Sequence, residues 1–230
     1  DLCSMTDDIW VSPMGSDYTG DGTQSNPVKT ITYALEIISA TENNPITIYL
    51  DEGTYSPSLT GEIFPLVIPS YVSINGEGME ISILDAEQTN KVFLIKYNNN
   101  NIIYGLNVEG GFAEGSFPDD CGGGIDSQYS NLTLIDVIIS GNTAGYGGGM
   151  YLHESNPNPL SLDVVSLFNV IIRENTAVYG GGMHIWDSNA TLTNVTISMN
   201  TAEDGGGGMC SWISNPTLTS VIISENSAGV

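Results

Sequence analysis

The sequence predicts an all-β chain, a right-handed parallel β-helix closed at its N-terminal end by a short capping helix. Three observations carry that expectation. The first is internal repetition: IISGNTAGYGGGMYL from Ile138, IIRENTAVYGGGMHI from Ile171, TISMNTAEDGGGGMC from Thr196 and IISENSAGV from Ile222 align with one another. The second is the period, because the shared asparagine falls at 142, 175, 200 and 226, in steps of 33, 25 and 26. A unit near 25 residues suits one coil of three short strands and three turns. The third is composition: 27 glycines in 230 residues and only 13% charged side chains, against roughly 7% Gly and 25% charge in ordinary domains. That is material for close-packed, repetitive sheet rather than for helices.

One domain spans residues 1–230, with a cap region over 1–45 and rungs over 46–230. In the cap, a turn-rich stretch Asp17–Pro27 precedes Ile31, Ala34, Leu35 and Ile38, which share one helical face. A short amphipathic helix there plugs the open end of the coil, as solenoid ends require. Strand-like runs follow at Ile46–Leu50, Leu66–Ile68, Tyr71–Ile74, Ile81–Leu84 and Val92–Ile95, and a degenerate copy of the repeat runs from Gly105 to Ile125. In the regular copies Leu134, Val137 and Ile139 match Leu167, Val170 and Ile172, then Leu192, Val195 and Ile197, then Leu218, Val221 and Ile223. The Val and Ile positions alternate with solvent-facing ones as a strand requires. Between Leu and Val the spacing breaks at Asp136, Asn169, Asn194 or Ser220, short polar residues that suit a turn. Asn-Thr-Ala then reads as a corner, and a third strand starts at Met150, Met183 or Met209. The polar stretch Glu154–Ser161 is a loop bulging from the longest unit. Asn142, Asn175, Asn200 and Asn226 are expected to form a structural ladder, each amide bonding the next rung. The glycine runs at 122–124, 147–149, 180–182 and 206–208 mark a second corner.

Charge narrows the partners. Four basic side chains against 27 acidic ones give a formal charge of −23, which excludes nucleic acid and repels polyanions. No apolar run approaches the ~18 residues of a membrane helix, so no membrane insertion is expected. Cys3, Cys121 and Cys210 have no metal-type spacing. Strong acidity suits an extracellular or cell-surface setting. The sequence stops at Val230, just after Asn226-Ser-Ala, where the other copies continue into a glycine-rich strand. The expectation is therefore a fragment of a longer coil, or copies that associate end to end.

Candidates for chemistry are few. A polysaccharide lyase needs basic groups to neutralise a uronate and remove a proton. Lys29 and Lys91 fall near segment ends, Lys96 ends a strand, and Arg173 sits beside Glu174, so no basic cluster is visible. A glycoside hydrolase needs paired carboxylates. Glu154 and Asp187 each lie four residues after a repeat methionine and form that alternative catalytic pair, with Asp119 and Asp120 as a second group. The third strand offers a ligand surface instead. If its methionines point inward, Tyr151, His184 and Cys210 turn outward, and so do His153, Trp186 and Trp212. Flat rings in such a column suit sugar rings or a protein partner. No cofactor is expected apart from calcium, for which Asp17 and Asp21 in Gly15-Ser-Asp-Tyr-Thr-Gly-Asp-Gly22 are the candidate ligands.

Two resemblances add to this reading. Asp8-Ile-Trp-Val-Ser-Pro-Met-Gly-Ser-Asp17, Asn26-Pro, Thr30-Ile-Thr-Tyr-Ala-Leu35 and Ile48-Tyr-Leu-Asp-Glu-Gly-Thr-Tyr55 resemble the opening of secreted pectate-lyase-like right-handed β-helix proteins. That superfamily includes lyases, hydrolases, epimerases and proteins without known activity. The later copies resemble repeats of polymorphic bacterial outer-membrane adhesins, with Ile139-Ser-Gly-Asn142 before Gly148-Gly-Met150 and Ile172-Arg-Glu-Asn175 before Gly181-Gly-Met183. Ile stands where that family typically has Phe. The regular rungs, the adhesin-like repeats and the shortage of basic or clustered catalytic groups imply a non-enzymatic extracellular module of a surface adhesin or stalk that binds a glycan or protein. The alternative is a carbohydrate-active β-helix enzyme, either a lyase or a glycoside hydrolase.

Overall fold

The computed structural model describes residues 5–153 and 165–229, which wind into a parallel β-helix with three sheets. The first sheet has 12 strands and runs from Ile9–Val11 through Ile46–Leu50, Val72–Gly76, Asn101–Glu109, Leu132–Ser140 and Ser166–Arg173 to Thr191–Thr193 and Thr217–Thr219. The second has four short strands, Thr143–Tyr146, Thr176–Tyr179, Thr201–Gly205 and Ser227–Ala228. The third has six: Leu66–Val67, Phe93–Lys96, Ile125–Gln128, Met150–His153, Met183–Trp186 and Met209–Trp212. Every named strand pairing is parallel and, apart from a register shift between Ala177 and Tyr179 in the second sheet, in register, so like residues stack: Ile103 on Leu134 on Leu167 on Leu192, and Ile125 on Met150 on Met183 on Met209. These stacks form one continuous buried core.

The breaks read from the sequence are real bends. Asp136, Asn169, Asn194 and Ser220 all have φ between +53° and +56°, and Gly105 occupies the same position one rung earlier with φ +63°. Left-handed backbone here turns the chain while both halves stay in the first sheet, and short polar residues tolerate it best. The structure corrects the corner expected at Asn-Thr-Ala, because Thr143–Tyr146 and its equivalents are a strand. Ala144, Ala177 and Ala202 point inward there and are buried. A small inward side chain lets the coil turn tightly, so little apolar alternation betrays the strand.

The asparagine ladder is complete across the repeats. Asn142 donates its backbone N–H and its Nδ2 to Oδ1 of Asn175, both at 3.0 Å, and Asn175 does the same to Asn200. Asn200 donates to Asn226 at 2.9 Å. Each Nδ2 also reaches a carbonyl of the preceding rung, such as Ile139 O from Asn175 at 3.0 Å. Fully bonded, these side chains are buried without cost. Gly149 must approach this ladder: a Cβ there would lie 2.6 Å from Gly182 O and 2.9 Å from Asn175 Nδ2.

The helix Ile31–Ile37 packs on the first rung and buries Ile31 and Ala34. Thr30 caps it by accepting from Tyr33 N at 3.0 Å, and Glu62 accepts from Ile31 N at 2.7 Å and Thr32 N at 3.1 Å. Asp17 accepts from Lys29 N, Thr30 N and the Thr30 hydroxyl at 2.7–3.0 Å. Asp21 accepts from the amide and hydroxyl of Thr23 in a local turn. Both carboxylates organise the lead-in to the helix, and among the described residues no three His, Cys, Asp or Glu side chains converge as metal ligands would.

Candidate functional site

The outer surface of the third sheet is built from two columns. Strand alternation sends Met150, Met183 and Met209 inward, as expected, and turns Leu94, Asp126, Tyr151, His184 and Cys210 outward in one column. Lys96, Gln128, His153, Trp186 and Trp212 form the other. The expectation that all of these are exposed holds only in part. Trp212 is 61% exposed, and His153, Trp186 and Cys210 are half-buried. Tyr151 and His184 are enclosed, His184 being 3% exposed.

An insertion explains part of that enclosure. Phe112 bridges to Thr143 and Cys121 to Tyr146, so the chain between them is extra length relative to the next rung. It leaves the corner and lays Phe117 against Tyr146 and Trp186, with ring centroids 5.6 Å from each. Two cavities open on this surface, and the insertion lines the second of them.

The first is a cleft of about 360 Å³ between Tyr146 and Tyr179 of the second sheet and His184, Trp186, Cys210 and Trp212 of the third. Tyr146 stacks on Tyr179 at 5.3 Å, Trp186 meets Trp212 edge-on at 5.9 Å, and His184 stacks on Tyr151 at 5.5 Å. His153 adjoins Trp186 at 5.3 Å, and Tyr129 continues the aromatic run at 5.3 Å from His153. Among the described residues, Nδ1 of His184 has no hydrogen-bond partner. Burial lowers the His184 pKa to about 4, with His153 adding to the effect, so the imidazole is neutral at ordinary pH. Cys210 is pushed up by burial and is a thiol, not a thiolate.

The second cavity, of about 500 Å³, opens over Lys91, Leu94, Lys96, Phe112, Glu114 and Asp119. Here the structure corrects the reading of isolated lysines. Lys91 is buried, with its Nζ 2.8 Å from Asp126 Oδ2 and 2.7 Å from Cys121 O. Lys96 Nζ lies 3.8 Å from the same carboxylate, whose other oxygen accepts from Gln128 Nε2 at 2.8 Å. Two of the chain's four basic residues therefore meet at one buried acid. Lys91 and Asp126 are 35 residues apart, and only the rung register brings them together.

Of the remaining candidates, Asp119 lines the second cavity. Asp187 is exposed just past the third-sheet strand, with φ +48° and its amide bonded to Trp212 O. Glu154 and the loop Glu154–Ser161 lie outside the described residues, so the pairing of Glu154 with Asp187 is untested. Arg173 pairs with Glu174 at 3.2 Å on the surface. Cys121 is buried and its thiol is pushed far up by desolvation and Asp126.

The chain superposes on a rhamnogalacturonan lyase with a TM-score of 0.54 at 14% identity, covering 96% of this chain and 67% of the lyase. That likeness is one of fold. The ORF18 product of Geobacillus virus E2 aligns at a TM-score of 0.36 and 11% identity, over 95% of this chain and 62% of that one. Among the curated proteins none matches the sequence. Residues 13–229 match the family described as "Protein of unknown function (DUF1565)", and the chain belongs to that family.

Proposed function

We propose that this chain is a non-enzymatic, extracellular β-helix module of a surface adhesin or stalk, which binds an uncharged glycan in the aromatic cleft of the third sheet. The observation that carries the reading is the lining of that cleft by ring faces, among them His184, whose buried Nδ1 has no hydrogen-bond partner among the described residues. Ring faces take the apolar faces of sugars, and an unmatched buried polar atom is satisfied by a ligand hydroxyl. The volume of about 360 Å³ suits one or two sugar units. A formal charge of −23 disfavours polyanions and leaves neutral sugars unaffected. Calorimetric titration with a panel of uncharged oligosaccharides tests this. Trp186→Ala and Trp212→Ala should each weaken binding at least about tenfold, and Lys96→Met should leave it unchanged. No heat with any neutral oligosaccharide, or binding indifferent to both tryptophans, would reject the reading.

One observation favours an enzyme instead. Lys96 stands beside the buried Lys91–Asp126 pair over a cavity of about 500 Å³, on a fold shared with a rhamnogalacturonan lyase. In that reading Lys96 removes the proton α to a uronate carboxylate and Lys91 fixes the site's charge. Unsaturated products released from acidic polysaccharides, and lost in Lys96→Met, would establish it.

A further inference from the structure

The first sheet carries a second ring-bearing column, on a different face of the coil from the aromatic cleft. Its register aligns Trp10 with Tyr49, Tyr49 with Asn75, Asn75 with Tyr104, Tyr104 with Ile135 and Ile135 with Phe168. All six point outward. Tyr104 is 41% exposed and Phe168 52%, and Trp10 stacks on Tyr49 with centroids 4.8 Å apart. Two concavities of about 390 and 230 Å³ flank the column, the first beside Asp51 and Glu77 and the second beside Thr47, Ser73 and Ile102, and Tyr49 and Asn75 line both.

Two properties of this column identify its occupant. Charge is the first. The column itself is uncharged, and so are Thr47, Ser73, Ile102, Thr133 and Ser166 in the outward column beside it, which begins at the exposed Asp8 of the first rung. In a chain with 27 acidic residues, a strip that carries no base and has acids only at its edges selects against anions and suits an uncharged ligand that offers both apolar faces and hydroxyls. Asp51 and Glu77 edge the larger concavity as acceptors for such hydroxyls. Period is the second. Tyr49, Tyr104 and Phe168 recur at every second rung, a spacing of about 10 Å at ~4.8 Å per rung. An extended β-1,4-linked glycan turns each sugar over relative to the last, so alternate sugars present the same face at that same repeat. Curled α-linked chains do not.

We propose that the outer face of the first sheet is a second platform, which binds one uncharged, extended β-1,4-linked polysaccharide chain along the coil axis. Tyr49, Tyr104 and Phe168 stack against alternate sugars, Asn75 bonds the intervening unit, and Trp10 extends the ring column at its end. The site uses none of the residues of the third-sheet cleft, so the two readings stand or fall separately.

The test is binding of cellohexaose, mannohexaose and maltohexaose to the whole chain and to face-specific variants, with thermal unfolding to confirm that each variant folds. Tyr104→Ala and Phe168→Ala, both at exposed positions, should each weaken the β-linked hexasaccharides at this face by tenfold or more and leave the melting curve in place. Trp186→Ala with Trp212→Ala should leave this face's binding unchanged. Loss of binding only in the third-sheet variants would overturn this platform and spare the cleft. Loss only in Tyr104→Ala and Phe168→Ala would support the platform and reject the cleft. Equal affinity for maltohexaose would overturn the alternate-sugar geometry, and no binding of any β-linked hexasaccharide would overturn the proposal outright.

Discussion

Lys91 and Asp126 show how a single residue pair can matter without a sequence signal. Their side chains are 9% and 0% exposed and 2.8 Å apart. Taking Lys91 away leaves the buried Asp126 with only the more distant Lys96 at 3.8 Å and Gln128; breaking a buried pair costs about 3–5 kcal/mol, whereas replacing both with apolar groups costs much less. Lys91→Met should therefore lower stability by about 3–5 kcal/mol in urea unfolding, and Lys91→Met with Asp126→Leu should recover most of it. His184 adds a pH dependence. Its folded pKa is held near about 4 by burial, while an unfolded histidine titrates near 6.5. Between those values the unfolded chain takes up a proton that the folded chain refuses, so this residue makes stability fall as pH is lowered from about 6.5 toward 4. Comparing the pH–stability curves of the native chain and His184→Gln isolates that part: the native chain should lose stability relative to the variant between about pH 6.5 and 4, and the difference should be constant outside that window. Neither residue's environment was legible beforehand. A lone lysine just before a strand and a lone histidine on one look solvated until stacked rungs bring Cys121 O and Asp126 to the first and Tyr146 and Tyr151 to the second.

At the scale of the element, the repeat made most of the fold readable, because a period near 25 residues fixes which positions stack. The inward stacks, the left-handed bends at Asp136, Asn169, Asn194 and Ser220, and the asparagine ladder follow from that period alone. The short strands of the second sheet were not readable. Their inward residue is alanine and their outward residues are threonine and tyrosine, so neither hydrophobic alternation nor a turn signature marks them. The glycine corners test the geometry. Gly149→Ala would press a methyl group against Gly182 O and the Asn175 amide. Overpacking of this kind costs about 1–3 kcal/mol, so thermal unfolding should shift down. Gly141→Ala serves as a control for space, since nothing lies within 4 Å of its Cβ position, although its φ of +65° still carries backbone strain.

For the whole molecule, the coil works as a ruler: parallel register copies each outward position along the axis, and chemistry is written in columns rather than in local motifs. This is why the candidate ligand residues His153, Trp186 and Trp212 could be listed together from their repeat offsets, and why the opposing wall of Tyr146 and Tyr179 could not, since it belongs to the sheet the sequence concealed. The same ruler separates the third-sheet cleft from the first-sheet platform. The three tryptophans divide between them, with Trp10 on the platform and Trp186 and Trp212 at the cleft. The most direct measurement is therefore tryptophan fluorescence of the Trp10→Phe variant, in which all emission comes from Trp186 and Trp212, titrated with the uncharged oligosaccharide that binds the native chain most tightly. The account predicts a saturable change in emission, with loss of iodide quenching as the ligand covers Trp212. Emission and quenching that stay constant while the same ligand binds by calorimetry would contradict it and move the glycan site off the third sheet.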